Sequence, residues 1–156
     1  MNSGELVAKL GIYGGSFVVG FVSGLVPFVN VELYLVAISP VASREALIPI
    51  AVLSAIGQML AKTILFYAGR GVFKIRLRKI EKKIETVQQK FQEWKGKTDL
   101  LIFLSALVGF PPLYATSVVA GAMKLSYPKF LAVGVVGRCI RFAVIVSFPQ
   151  LVLRYI

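Results

Sequence analysis

The sequence predicts an all-α integral membrane protein built as an inverted repeat. Each half is a re-entrant helical hairpin followed by a transmembrane helix, with a cytoplasmic amphipathic helix between the halves. Three observations lead there. Of 156 residues 57% are hydrophobic and mean hydropathy is +0.79, with apolar runs far longer than strands need, which suits a small polytopic membrane protein and not a soluble core. Two of those runs carry proline near their centres, where it removes an N–H and clashes with the preceding turn. The two interrupted runs also align with one another, each followed by an uninterrupted one.

Composition narrows the chemistry. There is one cysteine, Cys139, and no histidine, so disulfides, metal sites and His-based acid–base catalysis are disfavoured. No metal, cofactor or enzymatic role is expected: Ser105, Thr116 and Ser117 have no general base beside them in sequence and read as helix-packing hydroxyls. The formal charge of +11 raises nucleic acid as a partner. The basic residues concentrate beside membrane segments, however, where retention on the cytoplasmic side explains them, and no nucleic-acid partner is expected. Glu5 and Lys9 precede an apolar run longer than the h-region of a signal peptide, so the N-terminus is expected to be retained.

The first broken segment is 10–39. Its 30 residues would make a straight helix of about 45 Å, more than the roughly 30 Å hydrocarbon core. Two half-length arms meeting at Pro27 to Asn30 fit better, although a tilted, kinked span remains an alternative. Glu32, an acid at membrane depth, is a functional candidate by default. A polar turn from Ser39 to Glu45 leads to a crossing at 46–67, which carries Gln58 and Lys62. Lys62 either faces a site or snorkels to the interface.

Between Arg70 and Lys97 lie ten basic and three acidic residues, which assigns this loop to the cytoplasm and the protein to the cytoplasmic membrane. Within 72–95, Phe73, Leu77, Ile80, Ile84, Val87, Phe91 and Trp94 recur every three or four residues, the stripe of an amphipathic helix. It lies on the membrane or on the protein's own base, with a coiled-coil partner as the alternative. Arg70, Arg76, Arg78, Lys79, Lys82 and Lys83 are its membrane-surface cations. The second broken segment, 99–122, turns at Pro111 and Pro112 with Tyr114 just beyond. The last crossing, 130–153, carries Arg138 and Arg141, three apart and so on one helix face that should turn inward toward an acid.

The repeat is explicit. LVPFVNVELYLVAIS from Leu25 aligns with LVGFPPLYATSVVAG from Leu107 at an offset of 82, and Gly57 and Gln58 align with Gly137 and Arg138 at an offset of 80. If both broken segments are re-entrant, one crossing inverts the second half relative to the first. Inverted repeats with discontinuous helices meeting at the midplane are transporter architecture.

At these residues the chain resembles the DedA superfamily, also called the VTT or SNARE-associated Golgi protein family, and within it the short YqaA-like branch. Pro27 followed by Glu32 resembles the family's re-entrant tip. Gly57 with Phe66, Tyr67, Gly69 and Arg70 resembles its crossing, and AGAMKLSYPKF from Ala120 with GRCIRF from Gly137 resembles its second half. The resemblance implies lipid movement across a bilayer. The arginines usual in the second re-entrant motif are absent from SALVGFPPLYATS, and Lys62 stands where an acid is common in the first crossing. The expected function is a flippase- or scramblase-like transporter of a lipid or lipid-phosphate, with Glu32, Arg138, Arg141, Lys62, Asn30 and Gln58 along its path. Its partners are membrane lipids, anionic lipid phosphates among them, and the small size is compatible with a homodimer. The alternatives are a structural or assembly protein, in which Glu32 and an arginine are only a fixed ion pair, and a small-solute or ion channel.

Overall fold

The computed structural model describes residues 3–26, 28–71, 81–94 and 96–155, and seven helices follow one another among them. These are α1 (Ser3–Leu25), α2 (Val31–Ile38), α3 (Arg44–Gly69), α4 (Glu81–Glu93), α5 (Thr98–Leu107), α6 (Leu113–Ala122) and α7 (Tyr127–Tyr155). Three stretches, Ser3–Leu25, Arg44–Gly69 and Tyr127–Pro149, are long and apolar enough to cross a membrane, whereas α5 and α6 are shorter apolar helices of ten residues each.

Both breaks fall inside the segments that proline interrupts. α1 ends at Leu25 and α5 at Leu107, α2 begins at Val31 and α6 at Leu113, and each pair is 82 residues apart, the offset of the sequence repeat. The N-caps recur too: Asn30 precedes α2 and Pro112 precedes α6. Pro27 itself lies outside the described residues, as do Arg76, Arg78 and Lys79.

The first arms differ. α5 has the half-length expected, but α1 has 23 residues and starts at Ser3 rather than Leu10, about 35 Å at roughly 1.5 Å per residue. The expectation of two half-length arms in 10–39 is corrected accordingly. Leu6 and Val7 extend the apolar run upstream, and no proline interrupts it before residue 27.

The chain forms two compact units, Met1–Leu60 with Cys139–Ile156, and Ala61–Arg138. The division cuts α3 and α7 and mirrors the repeat. Each unit holds one broken segment, the first part of the crossing that follows it and the last part of the other crossing. In the first unit, Val31 and Leu35 of α2 pack with Leu47, Ile50, Ala51 and Ala55 of α3 and with Phe142 and Val146 of α7. A Cβ on Gly57 would lie 2.3 Å from the Phe17 carbonyl of α1, so these two helices touch backbone to backbone. The repeat partner of Gly57 does the same in the second unit. A Cβ on Gly137 would meet Ala106 at 2.7 Å and the Phe103 carbonyl of α5 at 3.2 Å.

The second unit is also knit by α6 against the end of α3, where a Cβ on Gly121 would fall 1.8 Å from the Phe66 carbonyl. Phe66 stacks on Phe130, 4.8 Å between ring centres, with Tyr67 and Tyr127 beside them. α4 lies along α6. Val87 and Phe91, the described heart of the amphipathic stripe, are buried there, so this part packs on the protein's own body and is not a free coiled-coil seam.

Candidate functional site

In the first unit the site begins with a helix cap. Asn30 Oδ1 accepts a hydrogen bond from the Glu32 N–H at 2.9 Å and starts α2 immediately after the break. That cap satisfies one of the free N–H groups at the helix start, and the Glu32 carboxylate in the first turn complements the helix dipole. Because Val31 and Leu35 are held in the core with Phe142, the adjacent Glu32 meets Arg141. Arg141 donates from Nε and from Nη2 to the same oxygen, Glu32 Oε1, both at 2.7 Å. The two side chains retain 23% and 32% of their exposure, so the pair is half-buried. The inward arginine face and the single acid of the first broken segment therefore meet at Arg141.

Gln58, on α3, donates from Nε2 to Ser23 Oγ at 3.2 Å, and Ser23 in turn donates to the Gly20 carbonyl at 2.8 Å. Gln58 Oε1 is buried and accepts no hydrogen bond from the described residues. Tyr34 and Ser16 share a hydrogen bond of 2.9 Å, and Ser54 donates to the Ser16 carbonyl at 3.1 Å. Sequence reasoning missed this second set of polar contacts between α1, α2 and α3. Tyr34, two residues after Glu32 in an apolar helix, was the available signal.

The second unit holds a different charge arrangement. Lys62 and Arg138 keep only 5% and 7% of their exposure and lie within electrostatic reach of each other. Lys62 does not snorkel: it is buried, with its ammonium 5.9 Å from the centre of the Tyr114 ring. Lys83 of α4 approaches the same ring, 5.6 Å from its centre. The Tyr114 phenol beside it holds the Lys83 ammonium above the usual lysine range. Lys90, two turns further along α4, sits 3.6 Å over the exposed Phe110 ring. The chain direction at the second break is fixed by Ser105, whose hydroxyl donates to the Pro111 carbonyl at 2.6 Å and shares a 2.9 Å bond with Thr116.

Of the residues read as membrane-surface cations, Lys82 and Lys83 are exposed. Arg70 is exposed but engaged: Nη2 donates to the Leu125 carbonyl at 2.6 Å and its guanidinium stacks 4.9 Å from the centre of Phe66. It closes the end of α3 onto the start of α7. The role of Lys90 and Phe110 was not anticipated from sequence, although the seven-residue spacing of Lys83 and Lys90 puts both on one face of α4.

Crossing-length helices, two short apolar helices and ionisable side chains buried among them define a multi-pass helical membrane protein. The family model of the VTT domain matches residues 11–151, nearly the whole chain, and the protein belongs to that family, whose domain is that of the DedA proteins. No curated protein and no solved structure matches the chain.

Proposed function

We propose that this protein moves a lipid or lipid-phosphate across the bilayer, its headgroup following a polar path along the broken segments while the acyl tails stay in the membrane. The observation that carries this reading is the Glu32–Arg141 pair, an acid on the first turn after a mid-segment break, held by two N–H groups of one arginine. Arg141 stands about 21 Å along α7 from Tyr127 at roughly 1.5 Å per residue, a depth at which charges are costly to keep. A guanidinium that offers this fork to a carboxylate offers it equally to a phosphate.

In the resting protein Glu32 holds the fork, and an arriving phosphate competes for it. Displacement or protonation of Glu32 then couples to movement. In the same unit Asn30 and Gln58 supply neutral polar groups, and in the second unit Lys62 and Arg138 supply the cations. The recurrence of the helix boundaries at one offset, and the division of both crossing helices between the units, support an inverted repeat with opposed re-entrant tips at Pro27 and at Pro111 and Pro112. The basic excess of 70–97 supports a cytoplasmic position for that segment in the cell membrane.

Vesicles carrying a fluorescent short-chain phospholipid in both leaflets test the reading, with dithionite bleaching the outer one. The wild-type protein should carry bleaching beyond the outer leaflet, and Arg141→Lys, which keeps charge but loses the fork, should be folded and slow. Bleaching equal to that of protein-free vesicles refutes transport. The packing of α2 on Phe142 and Val146 favours a second reading, in which the pair is a fixed strut of a structural protein. Glu32→Gln separates the two: a folded but inactive protein supports transport, whereas little folded protein supports the strut.

A further inference from the structure

Within the second unit two lysines, one on α4 and one on α3, approach a single aromatic ring, and an arginine of α7 lies near the inner one. Lys83 is at the surface with its ammonium 5.6 Å from the centre of the Tyr114 ring. Lys62 is buried on the same ring, and Arg138 lies in its electrostatic field. Tyr114 itself is half-buried on the first turn of α6, directly after the break. Its ring is thus approached by an exposed lysine and by a buried one that lies near Arg138. An anion that reaches two basic groups in a medium of low dielectric is attracted by both.

α4 is fastened to this region by side chains that differ in kind. Val87 and Phe91 bury apolar surface against the unit, whereas Lys83 and Lys90, on one face, lie over the aromatic rings at the second break, Tyr114 and Phe110. The ammonium–ring contacts are weak beside an ammonium–phosphate pair. An anion arriving at α4 can therefore take Lys83 away from Tyr114 without unpacking the helix. Free of that contact, the Tyr114 side chain can change rotamer and uncover Lys62.

We propose that Lys83, Tyr114, Lys62 and Arg138 form an access route for a phosphate-bearing anion on the α4 side: Lys83 receives it, Tyr114 is the gate, and Lys62 with Arg138 is where it arrives. The route rests on the transport reading for its cargo alone. A free phosphate and a lipid headgroup phosphate present the same chemistry to these groups, and a cationic or neutral headgroup is selected against by the same charges.

Thiol accessibility tests this directly. The protein carries Cys139→Ser with Lys62→Cys and sits in lipid nanodiscs. It is modified with methanethiosulfonates bearing either a sulfonate or a trimethylammonium group, each rate normalised to that with a free thiol. The sulfonate reagent should react about tenfold faster, the low end of what charged clefts achieve. Lys83→Gln should bring the ratio to near one, and Tyr114→Ala should raise both rates about tenfold. Equal rates with Lys83 in place, or rates indifferent to Tyr114→Ala, overturn the proposal. Should Lys62→Cys fail to fold, Tyr114→Cys reads the outer half of the route with the same two reagents, and loss of the sulfonate preference in Lys83→Gln is again required.

Protection of the cysteine by dissolved inorganic phosphate identifies free phosphate as the occupant, and protection only by short-chain phosphatidic acid identifies the headgroup. Protection by neither overturns the phosphate assignment. Sulfonate selectivity in a protein that moves no lipid in the vesicle assay leaves the route standing and removes the lipid-transport reading. Lipid movement without selectivity does the reverse.

Discussion

Replacing the charges of the Glu32–Arg141 pair one at a time and together yields a stability pattern that its geometry dictates. Two unit charges about 4 Å apart interact by roughly 4 kcal/mol at an effective dielectric of about 20. The pair keeps 23% and 32% exposure, which discounts that figure, and a coupling of roughly 2 kcal/mol is expected. Glu32→Leu leaves Arg141 without its carboxylate and should cost roughly 3 kcal/mol, toward the lower end of what breaking a buried pair costs. Glu32→Gln keeps an acceptor for the guanidinium and should cost less. The double variant Glu32→Leu with Arg141→Leu leaves neither charge uncompensated, so its loss should fall short of the sum of the two single losses by that coupling, roughly 2 kcal/mol. Thermal melts of purified protein in nanodiscs, followed by circular dichroism, measure all four corners of the cycle. Single-variant losses that add to within about 0.5 kcal/mol in the double would refute the coupling, and with it the argument that this contact carries the site.

Two further outcomes are expected. Gly121→Ala puts a Cβ 1.8 Å from the Phe66 carbonyl; α3 and α6 must part, at a cost of about 1–3 kcal/mol or more. Gly11→Ala meets nothing within 4 Å and should be neutral or stabilising by up to about 1 kcal/mol, so the same melts should move in opposite directions. Single cysteines at Ser43 and Ser126 in a Cys139→Ser background, probed with an impermeant thiol reagent on intact right-side-out vesicles, read the topology. Labelling of Ser43 from outside with Ser126 labelled only from inside is the re-entrant result, and labelling of both from outside shows that the broken segments span.

The acid, the two arginines and both breaks were legible in the sequence because each violates an otherwise apolar pattern, and hydrocarbon tolerates few such violations. The repeat was legible for the same reason: proline interrupts both halves at equivalent positions, and the offset of 82 then recurs in the helix ends at Leu25 and Leu107 and in the starts at Val31 and Leu113. The length of α1 was misjudged because apolar periodicity marks where a helix can run and not where it begins. For Lys62, position near a helix end left snorkelling open, and burial beside Tyr114 closed it.

By itself the sequence determined the membrane class, the helical content, the positions of the breaks and the identity of the few charges that must be accommodated. Those properties follow from composition and local chain chemistry: apolar length against bilayer thickness, and proline against the backbone ladder. Tertiary structure alone decided which arginine fork Glu32 enters, that Lys62 and Arg138 are buried near one another, and that Lys83 and Lys90 of α4 reach the rings at the second break. Such pairings join residues up to 109 positions apart. They depend on how closely glycine lets helices approach and on which way each helix is rotated by its buried face, quantities that no local pattern of residues encodes.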